Sequence, residues 1–116
     1  MAITALDVTT GEVLALDLQL GTHWWQRLRG LMFRRSLRDG EGLWIAPCSS
    51  IHMMFVPFPL DAVFLDRELR VVKVARSVRP WIGLAVGGHG SHGVIEVASG
   101  AAASVLPGHQ VEFREG

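Results

Sequence analysis

Short stretches of alternating apolar and polar residues run along most of this chain, and the alternation predicts β-strands. The first twenty residues predict a hairpin, with strands over 3–8 and 13–20 joined by the turn residues Thr10-Gly11-Glu12. One buried face of the second strand would be formed by Leu14, Leu16, Leu18 and Leu20. The opposite face would be exposed, as in a half-solvated antiparallel sheet.

One stretch follows a convincing helical period. Thr22 is a favourable N-cap, and it precedes apolar residues at helical spacing. These are Trp24, Trp25, Leu28, Leu31 and Met32. We therefore expect one α-helix over about residues 22–35, followed by a turn at Asp39-Gly40.

The rest of the chain again predicts short strands, at 43–46, 50–56, 60–65, 69–77, 93–98 and 110–114. Apolar residues on both faces of 50–56 predict a strand that is covered on both sides. The predicted fold class is mainly β. We expect an antiparallel β-sandwich or partly closed barrel of about eight short strands with one α-helix, formed by residues 1–116 as a single domain.

Composition limits the classes of function. The 116 residues are 49% hydrophobic and 19% charged, which is typical of a globular domain, and the formal net charge is zero. No global field therefore attracts nucleic acid or an anionic membrane. A basic cluster lies beside Trp24 and Trp25 and consists of Arg27, Arg29, Arg34, Arg35 and Arg38. Its helical spacing favours a solvated face, so we expect no nucleic-acid binding.

No segment predicts export or membrane insertion. Asp7, Glu12 and Asp17 interrupt the first twenty residues, and no apolar run reaches the roughly 18 residues of a membrane span. Cys48 is the single cysteine and cannot form an internal disulfide. We expect a soluble, cytoplasmic domain with no membrane span.

Three motifs resemble known sites but lack the required context. Gly88–Gly93 fits the spacing G-x-G-x-x-G, yet a strand follows it where dinucleotide binding needs a helix. His89 and His92 lie on a glycine-rich loop and provide only two metal ligands. Cys48 and His52 would lie about 13 Å apart on one extended strand, too far for a catalytic pair. We expect no catalytic residue, metal or cofactor.

Polar residues inside apolar strands are the best candidates for a binding site. His52 is either a hydrogen-bonded core residue or a donor that lines a pocket. Asp61 either braces a turn or joins the site, and Glu96 either joins it or faces solvent. The predicted binding residues are His52, Asp61, Arg34, Arg27, Met54 and Glu96.

Three stretches in this order resemble one bacterial and archaeal family, domain of unknown function 192. They are 27–34 (R-L-R-G-L-M-F-R), 51–66 (I-H-M-M-F, then P-L-D-A-V-F-L-D) and 94–97 (V-I-E-V) with Gly100. The resemblance implies a compact β-sandwich-like domain with one helix and no established activity. Many relatives have Trp-Met-Lys-Asn at 52–55, so this chain lacks that Lys and Asn. Some relatives carry an export signal or lipid anchor, and neither is visible here.

The sequence therefore favours a binding module over an enzyme. The first prediction is a small-molecule or carbohydrate ligand in a shallow pocket near His52 and Asp61. The alternative is a protein-interaction module, with homodimerisation as one form, that uses exposed Trp81, Phe58 and the glycine-rich loop. A hydrolase that uses Asp61 or Cys48 is the third hypothesis.

Overall fold

The computed structural model describes residues 2–21 and 31–115, which form ten β-strands in three sheets. The strands are β1 (Ile3–Asp7), β2 (Glu12–Ala15), β3 (Asp17–Gly21), β4 (Glu41–Ile45), β5 (Ser50–His52), β6 (Leu60–Leu65), β7 (Val71–Val78), β8 (Leu84–Val86), β9 (Gly93–Ala98) and β10 (Val111–Glu115). The sheets have the orders β3-β4-β9-β6-β7, β10-β1-β2 and β5-β8. The mainly β prediction is therefore confirmed.

The five-stranded sheet is covered on both faces. Its strand β6 is buried at every position, because alternate side chains enter two different cores. Val63 and Leu65 belong to the first core. Leu60, Ala62 and Phe64 belong to the second core. Such a near-continuous apolar run is typical of a strand with both faces buried.

The first core lies between the five-stranded and three-stranded sheets. It joins Ala5 of β1, Leu14 of β2 and Val111 of β10 to Val63 and Ile95 of the central strands. The two sheets therefore share one apolar layer. The second core, on the opposite face, is covered by Ile51, Met53 and Ala85 of the β5-β8 region and by Leu31.

The predicted helix is not seen. Residues 22–30 of it lie outside the described part of the chain, and residues 31–35 form turns and a bend instead of helix. Phe33 has a φ of 68°, in the left-handed region, which a right-handed helix excludes. No helix occurs anywhere in residues 2–21 and 31–115.

The strand pattern differs from the prediction in number and direction. The described residues form ten strands instead of about eight, and β3 pairs with β4 in parallel, so the domain is not wholly antiparallel. The five-stranded sheet ends at β3 and β7, and in the described residues these strands do not pair with each other. It is therefore not a closed barrel.

Two predicted strands are interrupted. The strand expected over 13–20 divides at Leu16, where the chain leaves the three-stranded sheet and enters the five-stranded one. Because Leu16 and Leu20 are exposed, the predicted four-leucine face is wrong. The strand expected over 50–56 ends at His52, and it could not in any case continue through Phe55, whose φ of 64° lies in the left-handed region. Ser50 and His52 are exposed, so this strand is covered on one face only.

Candidate functional site

Asp61 is buried, and its carboxylate accepts hydrogen bonds from backbone amides. Its side chain is 1% exposed on β6. Oδ1 accepts a hydrogen bond from the Ser77 amide at 2.8 Å, and Oδ2 accepts from the amides of Gly100 and Ala102 at 3.0 and 3.1 Å. The carboxylate thus ties β7 and the turn after β9 to β6. This geometry agrees with the alternative in which Asp61 braces a turn. Few lone pairs of the carboxylate remain free to bind a ligand.

Glu96 is the second polar residue inside the five-stranded sheet. It lies on β9 between Leu43 of β4 and Ala62 of β6, on the face that forms the second core. It is only 4% exposed, so the alternative in which Glu96 faces solvent is wrong. Among the described residues, Oε1 has no hydrogen-bond partner. Burial raises the pKa of this carboxyl to about 7, so it titrates near neutrality.

Three of the other predicted binding residues, Arg34, His52 and Met54, have surroundings different from those of Asp61 and Glu96. Arg34 forms a bidentate ion pair with Glu41, at 2.7 and 2.8 Å, and this hydrogen-bonded pair lowers the pKa of Glu41. His52 and Met54 are exposed at and just after β5. Arg27 lies outside the described residues.

Three exposed aromatic residues contact one another in a chain, with Phe55 in the middle. The Phe33 and Phe55 rings stack with centroids 5.0 Å apart, and Phe55 meets Trp81 edge to face at 6.2 Å. Backbone hydrogen bonds fix the arrangement, because the Phe33 amide donates to the Phe55 carbonyl and the Trp81 amide donates to Val56. Even so, Phe33 and Trp81 remain 65% and 55% exposed.

All three aromatic residues adopt a strained backbone conformation. The φ angles of Phe33, Phe55 and Trp81 are 68°, 64° and 66°, and only two other described non-glycine residues have positive φ. The left-handed region costs a bulky residue about 1–2 kcal/mol. Strain of this kind persists where the surrounding structure holds a residue in place, and it clusters at functional sites.

The apolar surface extends from the aromatic trio along the β5-β8 sheet. β5 and β8 pair antiparallel, so Ser50 faces Val86 and His52 faces Leu84 on the outer side. Large exposed apolar side chains cover this region, and we call them the aromatic face: Phe33, Met54, Phe55, Trp81, Ile82, Leu84 and Val86. Large exposed apolar patches on a protein surface usually mark interaction sites.

A polar groove lies where the β4-β5 loop meets the loop before β9. It has a volume of about 320 Å³ and is lined by Pro47, Cys48, Ser49, Arg67, Ser91 and His92. The Cys48 thiol donates to the Ser50 carbonyl at 3.0 Å, and burial is the main cause that raises its pKa. A raised thiol pKa opposes nucleophilic use of Cys48. In residues 2–21 and 31–115, no three His, Cys, Asp or Glu side chains are placed to hold a metal ion.

The comparisons with known proteins identify the family. A family model described as "Uncharacterized ACR, COG1430", DUF192, matches residues 6–113. The chain belongs to the DUF192 family. The resemblance seen in the sequence is thereby confirmed. No curated protein matches the chain.

Solved structures similar to this DUF192 domain support the fold. A protein of unknown function from Novosphingobium aromaticivorans DSM 12444 is 28% identical, with a TM-score of 0.81 over 95% of this chain and 82% of that one. A protein described as "a putative transcription regulator" from Sinorhizobium meliloti 1021 is 20% identical, with a TM-score of 0.83 over 96% and 91% of the two chains. The second likeness shows the fold alone. In the part of this DUF192 domain that the structure describes, there is no helix that is long and apolar enough to cross a membrane.

Sequence reasoning found parts of these surfaces and missed others. It predicted an exposed Trp81, which the structure confirms, whereas Phe58 is partly buried in the second core of the DUF192 domain. It missed Phe33, Phe55 and Leu84, because nothing in an apolar residue's local sequence reveals a left-handed backbone or an exposed strand face. It also missed the approach of Cys48 to His92, which are far apart in sequence but joined by a backbone hydrogen bond of 2.8 Å.

Because the backbone of this DUF192 domain is strained at Trp81, we expect glycine to be more stable than alanine at this position, which is the reverse of the usual order in a strand. We expect Trp81→Gly to be more stable than Trp81→Ala by about 1 kcal/mol, because glycine adopts positive φ without a Cβ penalty. Both variants lose the contact with Phe55, so their difference isolates the backbone. Urea unfolding measures it. Trp44 on β4 is the control, where Ala should be better than Gly; the same order at position 81 would refute the strain argument.

Proposed function

We propose that this domain is a protein-docking module whose working surface is the aromatic face. The observation that carries the proposal is the trio Phe33, Phe55 and Trp81: all three are exposed and strained, and the Phe55 ring contacts both of the others. Selection for stability alone would favour glycine at such positions and polar side chains at such exposure. A role in binding would explain why these positions hold aromatic residues instead of glycine or polar residues.

The chemistry of the surface favours a protein over a sugar. Sites for small polar ligands combine apolar walls with precisely placed hydrogen-bonding groups. On the outer side of the β5-β8 sheet, the exposed polar side chains are only Ser50 and His52, beside Leu84 and Val86. Trp, Phe and Met are the residues that are enriched in the buried centres of protein interfaces.

The small-molecule or carbohydrate hypothesis loses its original support. It required His52, Asp61 and Arg34 to converge on one pocket. Instead, three backbone amides occupy Asp61, Glu41 holds Arg34, and His52 is exposed on a different sheet. The interaction hypothesis gains support from the same structure, since Trp81 is exposed within the larger apolar surface.

Site-specific photocrosslinking in the native cell tests the proposal. A benzophenone amino acid replaces Ile82, which is 75% exposed and follows Trp81 in the aromatic face. The matched control replaces Leu106, which is also exposed but belongs to the loop before β10. We expect a discrete protein adduct from position 82 and none of equal yield from position 106. Mass spectrometry then shows whether the partner is a second copy or another protein.

A second variant connects the adduct to the aromatic trio. Adding Trp81→Ser to the Ile82 photocrosslinking chain should reduce the adduct about tenfold or more, as expected for an interface hot spot. The thermal midpoint is measured alongside, because the substitution also removes the contact between Trp81 and Phe55. Equal adducts from positions 82 and 106, or an adduct that is indifferent to Trp81→Ser, would refute docking at this face.

A further inference from the structure

Charge is distributed unevenly between the aromatic face and the opposite side of the domain. The three segments that carry the aromatic face, 31–38, 50–58 and 79–86, include four arginines and no aspartate or glutamate. The three-stranded sheet, which covers the other face of the five-stranded sheet, contains four acidic residues and one arginine. The formal net charge of zero is therefore the sum of unequal local charges.

Three cations next to the aromatic face form no ion pair with any residue of 2–21 or 31–115. They are Arg35, Lys73 and Arg79. The Nζ atom of Lys73 donates to the Val86 carbonyl at 2.7 Å, so this ammonium group is fixed beside β8. Arg79 is exposed, and its carbonyl accepts the 3.0 Å hydrogen bond that closes the turn presenting Trp81. Arg35 is exposed two residues after Phe33.

Few carboxylates oppose these cations. Asp61 and Glu96 are buried, and Glu41 is already ion-paired with an arginine. The turn 66–70 contains two acidic and two basic residues, so it adds no net charge. Asp39 is exposed, but the three unpaired cations outnumber it. Attraction between exposed charges acts over about 8–10 Å at near-physiological ionic strength, so it depends on where the charged residues lie more than on the orientation of one side chain.

We propose that the partner of the aromatic face is an acidic segment of another protein, with apolar side chains at its centre and carboxylates around them. The inference rests on docking at this face, as proposed above, and adds the chemistry of the partner. Protein interfaces combine an apolar centre with a polar rim, and opposite charges across the rim speed association and exclude wrong partners. A second copy of this chain would bring two basic surfaces together, which charge repulsion opposes.

An anionic membrane is another surface that could attract an apolar face with cations. Segments that recognise anionic lipids usually contain clusters of about four to eight Lys or Arg residues. The aromatic face has three unpaired cations in the part of the chain that the structure describes. This number favours a protein, whose carboxylates can meet each cation at a defined position.

The sequence of the cross-linked partner tests the inference. The probe is the full chain with the benzophenone amino acid at position 82, and mass spectrometry identifies the partner segment in the adduct. We expect a segment of another protein in which Asp and Glu outnumber Lys and Arg. A neutral or basic segment, or a second copy of this chain, would overturn this inference and leave docking intact. If position 82 gives no discrete protein adduct, docking itself fails and the inference fails with it.

Charge variants of the same chain test whether the cations attract the partner. The double variant Arg35→Glu/Arg79→Glu should reduce the adduct about tenfold or more, because electrostatic steering changes association rates by factors of about 10–1000. Arg35→Lys/Arg79→Lys keeps the charges and should keep most of the adduct. Arg114→Glu, on β10 of the three-stranded sheet, should leave the adduct unchanged. Thermal midpoints show that each variant folds. Loss of the adduct in both double variants, or in neither, would overturn the inference.

Co-sedimentation with lipid vesicles tests the membrane alternative. The wild-type chain is mixed with vesicles of phosphatidylserine and phosphatidylcholine, and with vesicles of phosphatidylcholine alone. We expect the protein to remain in the supernatant with both. Sedimentation with the phosphatidylserine vesicles that Arg35→Glu/Arg79→Glu abolishes would assign these cations to a membrane and overturn the inference of an acidic protein partner.

Discussion

Replacing Asp61 by Asn is expected to lower the free energy of unfolding by about 2–4 kcal/mol. The carboxylate accepts three backbone hydrogen bonds, one on Oδ1 and two on Oδ2, at a side chain that is 1% exposed. An Asn side chain keeps one acceptor oxygen but presents an amide group to the remaining backbone donors. At least one buried N–H of Ser77, Gly100 or Ala102 would then face another donor.

Asp66 offers a matched control for this change. It also accepts two backbone hydrogen bonds, from Glu68 and Arg70 at 2.9 Å each, but in an exposed turn where water can replace the carboxylate. Asp66→Asn should therefore cost less than about 1 kcal/mol. Urea unfolding of the two variants measures the difference. Equal losses at positions 61 and 66 would mean that burial of the Asp61 carboxylate is not what makes it important.

Replacing Glu96 by Gln is expected to change how stability depends on pH. The folded-state pKa of Glu96 is raised to about 7, from an ordinary value near 4.5. Between these values the folded state holds a proton that the unfolded state releases, so wild-type stability falls as pH rises through this window. Well above pH 7 the Glu96 carboxyl is ionised in both the folded and the unfolded state. The resulting loss in the free energy of unfolding then stays constant, at up to about 3 kcal/mol.

Glu96→Gln should abolish this penalty because the amide is neutral at every pH and nearly isosteric with the protonated acid. We expect equal stabilities of wild type and variant near pH 4.5, and a more stable variant at pH 8, measured by denaturant unfolding at both values. Glu68→Gln, in an exposed turn, should show no such divergence. If the Glu96 variant were instead less stable at pH 8, the carboxylate would have to be ionised and held by a cation in the folded state.

Asp61 and Glu96 also show how far sequence reasoning can reach. Both were singled out because a carboxylate stands in an apolar strand, and both are buried. Their roles differ because the partners come from elsewhere: amides of β7 and of the turn after β9 surround Asp61, while apolar positions of β4 and β6 flank Glu96. No local pattern encodes which backbone groups will arrive at a given side chain.

The strand errors have a similar cause. Leu16 continues the alternation of its neighbours, but the chain changes sheets there, and the Gly40 carbonyl accepts hydrogen bonds from the amides of Leu16 and Asp17. Period two indicates that a strand forms, and it does not indicate where a strand moves from one sheet to another. β8 was missed within the glycine-rich loop because three residues are too few to show a period.

The sequence by itself determined that this chain forms a mainly β domain of the DUF192 family, because alternation, turn residues and family motifs are local properties of the chain. It also determined that Trp81 would be exposed and that Asp61 and Glu96 were exceptional. Only the tertiary structure decided which residues that are distant in sequence meet at the surface. The trio Phe33, Phe55 and Trp81 meets across more than twenty residues of intervening sequence on either side, and the polar groove is assembled from three separate loops. Surfaces of this kind depend on how the sheets pack, which is a property of the whole fold.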